Sequence, residues 1–503
     1  MSGEKGSVPS LDEKRGSIAS DNVDFGGESS LPPPPTLTAE EERKLWRKVD
    51  LRLMPILSLM YLLSFMDRGN AKLQGLVTQL DLTGNRYNIA LLFSRIVYLN
   101  AQQISFSSDS TPHGKNSYPQ LVGVRVCLGV TEAGLFPGVV YYLSLWYPRH
   151  KLQVRIGLFF GAASLAGAFS GLLAFGISFM SGTRGLLGWS WIFILEGIAT
   201  VVVGILAAFS ECRLRYHTTR GSHYSTVLVD FPSTATFLTP EERSYIVHKK
   251  KYDNSSVGEE EHFEMRHLWA AVTDWQVRWD YSSKSRPDLH PGLATHLNLH
   301  VHYRTSTIIN SFGHTPAISQ LLTVPPYVVA TTVLYIFAYY SDKIKMRSPF
   351  IVLGLVFCLI GFSINISEVS NGVKYFGTFF VVTGSYAAFP GIVAWLGNNL
   401  AGQYKRGIGM AMHIGIGNFS GAIASNIYRS KDSPRFLVGH GCELMFVGIG
   451  FVTVPIAVLA YIHINRKRDA AEREALERGE SNKYTPQQLR EMGDRAPDFR
   501  YTL

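Results

Sequence analysis

The stretch LVGVRVCLGVTEAGLFPGVVYYLSLWY occupies residues 121–147 and runs directly into Pro148, Arg149, His150 and Lys151. Arg125 and Glu132 are its only formal charges. A helix rises about 1.5 Å per residue, so about 20 such residues cross the roughly 30 Å of a bilayer's hydrocarbon. A core helix of a soluble protein has no need to be apolar on every face for that length. The block therefore reads as a membrane span with a basic connector at its end. Eight further blocks repeat the pattern, at 51–66, 156–180, 187–209, 317–340, 349–366, 375–400, 407–428 and 444–464. Composition agrees, since charged residues make up only 17% of the 503 while Gly and Phe reach 46 and 29. That balance excludes a wholly disordered chain, a collagen, a coiled coil and a disulfide-rich secreted scaffold.

The net charge of +9 does not point to nucleic acid. No contiguous basic face with interleaved aromatics lies outside the connectors, and no zinc-finger spacing occurs. The excess sits at the ends of apolar blocks, where it sets orientation and brings contact with the lipid bilayer. Cys127, Cys212, Cys358 and Cys442 lie far apart and form neither a disulfide framework nor a metal cluster. His290, His296, His300 and His302 mimic a metal tract, but no carboxylate pattern or periodicity accompanies them. The first 50 residues lack a signal-peptide apolar region. They are Gly-, Ser-, Pro- and acid-rich, include the run Pro32 to Pro35, and read as disordered. Arg43, Lys44, Arg47 and Lys48 then precede the first block, which points to a cytoplasmic N-terminus.

Connector charge exposes a parity fault. Basic connectors follow 147 (Arg149, Lys151, Arg155), 340 (Lys343, Lys345, Arg347), 400 (Lys405, Arg406) and 464 (Arg466, Lys467, Arg468). By the positive-inside rule all face the cytosol. Span 51–66 then ends outside and 121–147 must begin outside, so zero or two crossings lie between them. Span 187–209 ends inside and 317–340 begins outside, so one crossing is missing there. Residues 87–104 and 297–312 are the doubtful candidates, each carrying charge. Restoring two crossings and one crossing to the nine blocks gives about twelve, in halves of six. Residues 105–120 and 280–302 accordingly read as departures from native coding sequence, from retained introns or shifted frames.

Ionisable groups at membrane depth are functional candidates by default. Arg125 and Glu132 stand about two turns apart on a broad helix face. Arg125 suits a substrate carboxylate through its planar fork, and Glu132 suits a proton; a permanent ion pair between helices is the alternative. Glu196 and His413 are further proton candidates, each set against a packing role. Asp67, Arg68 and Asn70 close the first span as gating candidates or as a helix-end network. Asn398 and Asn399 either donate to an anion or cap their helix. Gly157, Gly161, Gly167, Gly171 and Gly176, with Gly409, Gly415, Gly417 and Gly421, let helices approach closely and bundles rock. Pro325–Pro326, Pro137 and Pro390 are expected to kink their spans. No phosphate loop, H-E-x-x-H or G-x-S-x-G is present. No enzymatic or catalytic residue, metal or organic cofactor is implied.

These motifs together resemble the major facilitator superfamily and, within it, the fungal allantoate permease family of anion:cation symporters. The resemblance is carried by Tyr61 to Asn70, Arg125 to Pro137, Trp146-Tyr147, Gly188 to Gly197 and Phe237-Leu238-Thr239 with Glu241-Glu242-Arg243. It continues in Gln320 to Tyr327, Ser341-Asp342, Pro434-Arg435-Phe436 and Gly493 to Tyr501, and covers about four-fifths of the chain. It implies proton-coupled uptake of a small organic anion such as allantoate, nicotinate or pantothenate, and adds Asp342 to the gating candidates. The family's G-x-x-x-D-R-x-G-R loop is missing from 93–120, and its seventh span, near 285–312, is garbled.

The expected fold is an all-α membrane protein of the major-facilitator type, a two-bundle (6+6) transporter with about two to three spans disrupted. Its expected parts are a disordered cytosolic tail (1–50), an N-terminal bundle (51–209, disrupted at 93–120), a cytosolic central loop (210–300, aberrant at 280–302), a C-terminal bundle (301–464) and a partly disordered cytosolic tail (465–503). The expected partners are a small organic anion, protons and lipid, with no nucleic acid. The expected state is a monomer in the plasma membrane with both termini cytoplasmic. The rival readings are a transporter-like nutrient sensor and the non-functional product of a defective gene model. Single cysteines placed in 148–155 and in 341–347 are expected to react with an impermeant thiol reagent from the same side of the membrane. Labelling from opposite sides would remove the twelve-crossing reading.

Overall fold

A computed structural model describes residues 35–66, 123, 135–216, 232–235, 237–251, 265–274, 276, 305–428, 432–433, 435–479, 484–485, 488–489 and 492–503. The first described helix, α1 (Ala39–Met66), starts inside the stretch expected to be disordered. Its start is specified locally. The Thr38 N–H donates to Glu41 Oε2 at 2.8 Å and the Glu41 N–H donates back to Thr38 Oγ1 at 3.3 Å. This is a reciprocal capping box, and Glu40, Glu41 and Glu42 complement the positive helix end.

Next come α2 (Leu135–Trp146), α3 (Leu152–Ser178), α4 (Gly188–Tyr216), and two short helices, α5 (Pro240–Lys251) and α6 (Met265–Val272). The second half contains α7 (Thr305–Asn310), α8 (Pro316–Leu321), α9 (Val324–Ile344), α10 (Ser348–Ile366), α11 (Asn371–Asn399), α12 (Gln403–Ile427) and α13 (Leu437–Glu477). Among the described residues five helical stretches are long and apolar enough to cross a membrane: Arg149–Ser178, Pro316–Ile344, Ser348–Ile366, Asn371–Asn399 and Leu437–Glu477. Their outward sides carry large apolar residues such as Phe169, Ile336, Leu353, Val452 and Leu459. A helix apolar on its exposed side suits lipid, not water.

Two expectations need correction. Pro325 and Pro326 do not kink a helix interior. The helix breaks at Leu322 and Thr323, and the prolines fall in the first turn of α9, where a missing N–H costs nothing. The charged run from Arg468 is helix-forming in composition and is helical, but the Gly-, Pro- and Asp-rich end beyond it, expected to be partly disordered, packs against the bundle. Helix α13 continues to Glu477, and Phe499 and Tyr501 are buried.

Helix α3 is central, lying against α1 on one side and α9 on the other. Close approach to α9 is possible because the facing positions are small. A Cβ on Gly157 would stand 2.9 Å from Ala338 Cβ, and one on Gly167 would stand 3.0 Å from the Tyr327 ring. The same device joins α10 to α11, where a Cβ on Gly384 would meet the Gly354 carbonyl. Mid-molecule, Tyr61 of α1, Phe136 of α2, and Phe159 and Phe160 of α3 meet Tyr386 and Phe389 of α11. Ring centroids lie 4.4 Å apart for Tyr61–Phe159, 5.6 Å for Phe136–Phe389 and 4.6 Å for Phe160–Phe389. The tilted and offset geometries are those aromatic rings prefer.

Gly171→Ala and Gly176→Ala separate close packing from simple helix content. A Cβ at 171 would meet the Gln320 carbonyl oxygen and Thr323 Oγ1 at 2.6 Å, whereas one at 176 meets nothing within 4 Å. Thermal unfolding in detergent is expected to show G171A destabilised by about 1–3 kcal/mol. G176A is expected to be unchanged or slightly stabilised.

Candidate functional site: a polar lock at the basic end

All four basic connectors meet at one end of the bundle. The turn Arg149–Lys151 leads into α3, and its residues reach in three directions. Lys151 Nζ donates to Glu42 Oε1 at 2.8 Å. Burial opposes the Glu42 charge, but bonds from Lys151 and Trp46, with the charges of Lys151 and Lys249, bring its pKa down to about 2. Arg155 holds Asp50 through two bonds of 2.9 and 2.6 Å, and the Tyr147 hydroxyl donates to the same carboxylate at 2.7 Å. This bidentate pairing ties α3 to α1.

From the other half, Asp342 near the end of α9 accepts the Val154 N–H in the first turn of α3 at 2.8 Å. A carboxylate there meets both an orphan donor and the positive end of the helix dipole. Arg347 Nη2 donates to Asp342 at 2.5 Å and to the Arg149 carbonyl at 3.0 Å. The Ser341 hydroxyl donates to Gln153 Oε1 at 2.7 Å. Ser341, Gln153 and Arg347 are each about 1% exposed or less. Charged hydrogen bonds at such burial are strong, and leaving either partner alone there is costly. Burial pulls the Arg347 pKa down, and Asp342 works against that pull.

A second layer is supplied by residues 492–503, whose Gly-, Pro- and Asp-rich sequence concealed their role. The Thr502 N–H donates to Asn399 Oδ1 at 2.7 Å, and the Thr502 carbonyl accepts from Asn399 Nδ2 at 3.1 Å and Trp395 Nε1 at 2.8 Å. The Arg347 N–H donates to the Leu503 carbonyl at 2.5 Å. Arg149 Nη1 donates to the carbonyls of both Arg500 and Asn398 at 3.2 Å. Arg468 donates to the Phe499 and Asp494 carbonyls at 2.7 and 2.8 Å, and the Tyr501 ring stacks on Tyr461 at 4.8 Å. Lys405 bridges Asp494 and Asp274. Burial raises the Asp494 carboxyl pKa and the Lys405 charge opposes it.

The structure treats the sequence-derived candidates unequally. Asp342 lies in the polar lock between the halves. Asn399 is buried with its amide engaged by the tail, not by an open cavity, while both amide atoms of the neighbouring buried Asn398 lack a hydrogen-bond partner. Glu196 is buried on α4, with Oε2 lacking a hydrogen-bond partner, and His413 is buried on α12. Arg125, Glu132, Asp67, Arg68 and Asn70 lie outside the described residues, as do most of the segments expected to be disrupted. Among the described residues no group of three His, Cys, Asp or Glu could hold a metal ion.

Apolar helices packed through small residues, with charge gathered at one end, define a helical membrane protein. The Major Facilitator Superfamily model matches residues 86–250. The MFS-type transporter cnsO of Penicillium expansum is 31% identical over 92% of this chain and 90% of its own length. A high-affinity nicotinic acid transporter of Saccharomyces cerevisiae is 30% identical over 92% of this chain and 85% of its own. In fold the chain is similar to the xylose transporter XylE from E. coli, in a partially occluded inward open conformation, with a TM-score of 0.54 at 11% identity, covering 80% of this chain and 98% of that one. The chain belongs to the Major Facilitator Superfamily of transporters and is not an enzyme.

Lys405→Met is expected to free the tail, because it leaves two buried carboxylates without their cation, at a cost of about 3–5 kcal/mol. Limited proteolysis is expected to cut within 492–503 while circular dichroism shows the helices retained. A tail that stayed protected would show that the ion pairs do not hold it.

Proposed function

We propose that this carrier takes up a small organic carboxylate together with a proton, as the fungal allantoate permease group does. The proposal places it in the plasma membrane with the basic end and both termini in the cytosol. The observation that carries the reading is the polar lock. Asp342 of one half caps a helix of the other, so the two halves are joined at one end by contacts that can be broken without disturbing either core. The similarity to a nicotinic acid transporter over most of both chains supports the substrate class. An anion moving inward works against the membrane potential at about 2.3 kcal/mol per charge per 100 mV, and a co-transported proton cancels that cost.

In this reading Arg125 faces the carboxylate, with Asn398 as a further donor. Glu132, Glu196 and His413 are the first proton candidates. Asp342 gates the basic end, and Asp67, Arg68 and Asn70 belong to the same gating set. Basic connectors on the cytosolic side follow the positive-inside rule. Opening toward the cytosol then means breaking the lock, while the glycine-lined face of α3 lets the halves turn against each other.

Uptake of labelled nicotinate by cells expressing the full chain tests the reading. Accumulation is expected to rise as the medium is made more acidic and to collapse with a protonophore. Arg125→Gln is expected to weaken apparent affinity about 10- to 100-fold, the worth of one charged hydrogen bond. Binding without pH-dependent accumulation would favour a sensor and overturn the symport reading.

A further inference from the structure

Helix α13 carries a carboxyl that none of the foregoing uses. Glu443 lies six residues past the helix start at Leu437, about 9 Å in from the end opposite the basic connectors. It is fully buried, at 0% exposure, and neither carboxyl oxygen has a hydrogen-bond partner. An ionised carboxylate deprived of water, cation and donors is too costly to keep, and such a group neutralises instead.

Among the described residues its surroundings hold polar groups, and no cation is paired with it. Cys358 of α10 lies within electrostatic reach of Glu443, and its Sγ stands 3.6 Å from Ser385 Oγ on α11. Positions 358, 362 and 365 share one face of α10, where Phe362 packs against His440 at 5.9 Å and the Asn365 Oδ1 is buried without a partner. His440 precedes Glu443 by one turn on the same face of α13, is 2% exposed, and its Nδ1 lies 3.2 Å from the Tyr428 hydroxyl. Lys374, buried near the start of α11, lies within electrostatic reach of His440. Residues 414–427 of α12 include no ionisable side chain. Among the described residues the ionisable groups around Glu443 are therefore a thiol, an imidazole, a phenol and one ammonium, the last acting on the imidazole.

We propose that Glu443 is a proton-binding site of the carrier. It holds a proton as the neutral acid in this conformation and exchanges it with water through the His440–Tyr428 pair as the halves rock. The proton arrives from water at the end opposite the basic connectors, resides on a carboxyl oxygen and returns to water, so charge balances at each step. The inference rests on the proton-coupled reading for its role in transport, but the site itself does not depend on which anion is carried.

The test uses the full chain in lipid vesicles, as wild type, Glu443→Gln and Glu443→Asp. Gln keeps the shape of the neutral acid, and Asp keeps a titratable group should Gln fail to fold. Infrared spectra of wild type minus E443Q, taken on the acidic and alkaline sides of neutrality, are expected to show a protonated-carboxyl C=O band that gives way to carboxylate bands at the alkaline pH. In E443D the band is expected to shift and not vanish. With nicotinate as the probe, E443Q is expected to keep nicotinate exchange and lose accumulation driven by a pH gradient. A carboxylate signal at both pH values, or an acid band that pH does not move, would overturn the proposal. So would unaltered pH-driven accumulation in E443Q. Should no chain move nicotinate while the Glu443 band titrates, the proton site stands and the substrate reading fails.

Discussion

The close contact of α3 with α9 is the constraint on which the remaining arrangement depends. Lipid supplies no hydrophobic drive between helices, so their association comes from packing at short range. Glycines at 157, 161 and 167 remove the side chains that would hold α9 away, and Gly171 does the same for the Gln320–Thr323 turn that leads into it. Once α9 is that near, its end delivers Ser341 and Asp342 to the first turn of α3, where the Val154 N–H would otherwise have no helical partner. The steric property of one helix face thus sets the electrostatics of the basic end.

The chemistry then divides along the membrane normal. Mid-molecule the two halves touch through aromatic rings, from Phe136 and Phe160 to Tyr386 and Phe389, contacts that make little directional demand. At the basic end they touch through hydrogen-bonded charges with tight geometry. The tail adds carbonyl acceptors for the guanidinium groups of Arg149 and Arg468 and for the Arg347 backbone N–H, while the Arg347 guanidinium donates to the Arg149 carbonyl. Such a layer stays intact only while its members remain together, which suits contacts that are made and broken as a unit.

How much was legible in the sequence follows from the range of the forces involved. Spans were readable because crossing a bilayer is a requirement on composition over a local window, and the connectors announced themselves by charge. The Thr38–Glu41 cap is also local, but it lies in a Gly-, Ser-, Pro- and acid-rich context that hides it. The tail could not be read locally: Phe499 and Tyr501 are buried by α13, and Asn399 is claimed by Thr502, about a hundred positions away. Glu443 was missed for a smaller reason. A span drawn from 444 leaves it just outside, although the helix begins at Leu437. Apolar runs locate helix interiors well and helix ends poorly, and this residue sat in the difference.

Energetics favour the locked arrangement and so constrain how the carrier can turn over. Separating the halves at the basic end breaks the Asp342–Val154, Ser341–Gln153 and Arg347–Arg149 contacts, with charged hydrogen bonds worth about 1.5–3 kcal/mol each and neutral ones about 1. Water entering the opened gap replaces part of that, while the glycine face moves without equivalent loss. A ligand shifts such an equilibrium only by binding one state more tightly than the other. On the proposed reading, a proton on a buried carboxyl meets that condition if its surroundings differ between the two states. On that reading, coupling needs no wire between separate sites, because each need only bias the same contacts at the basic end.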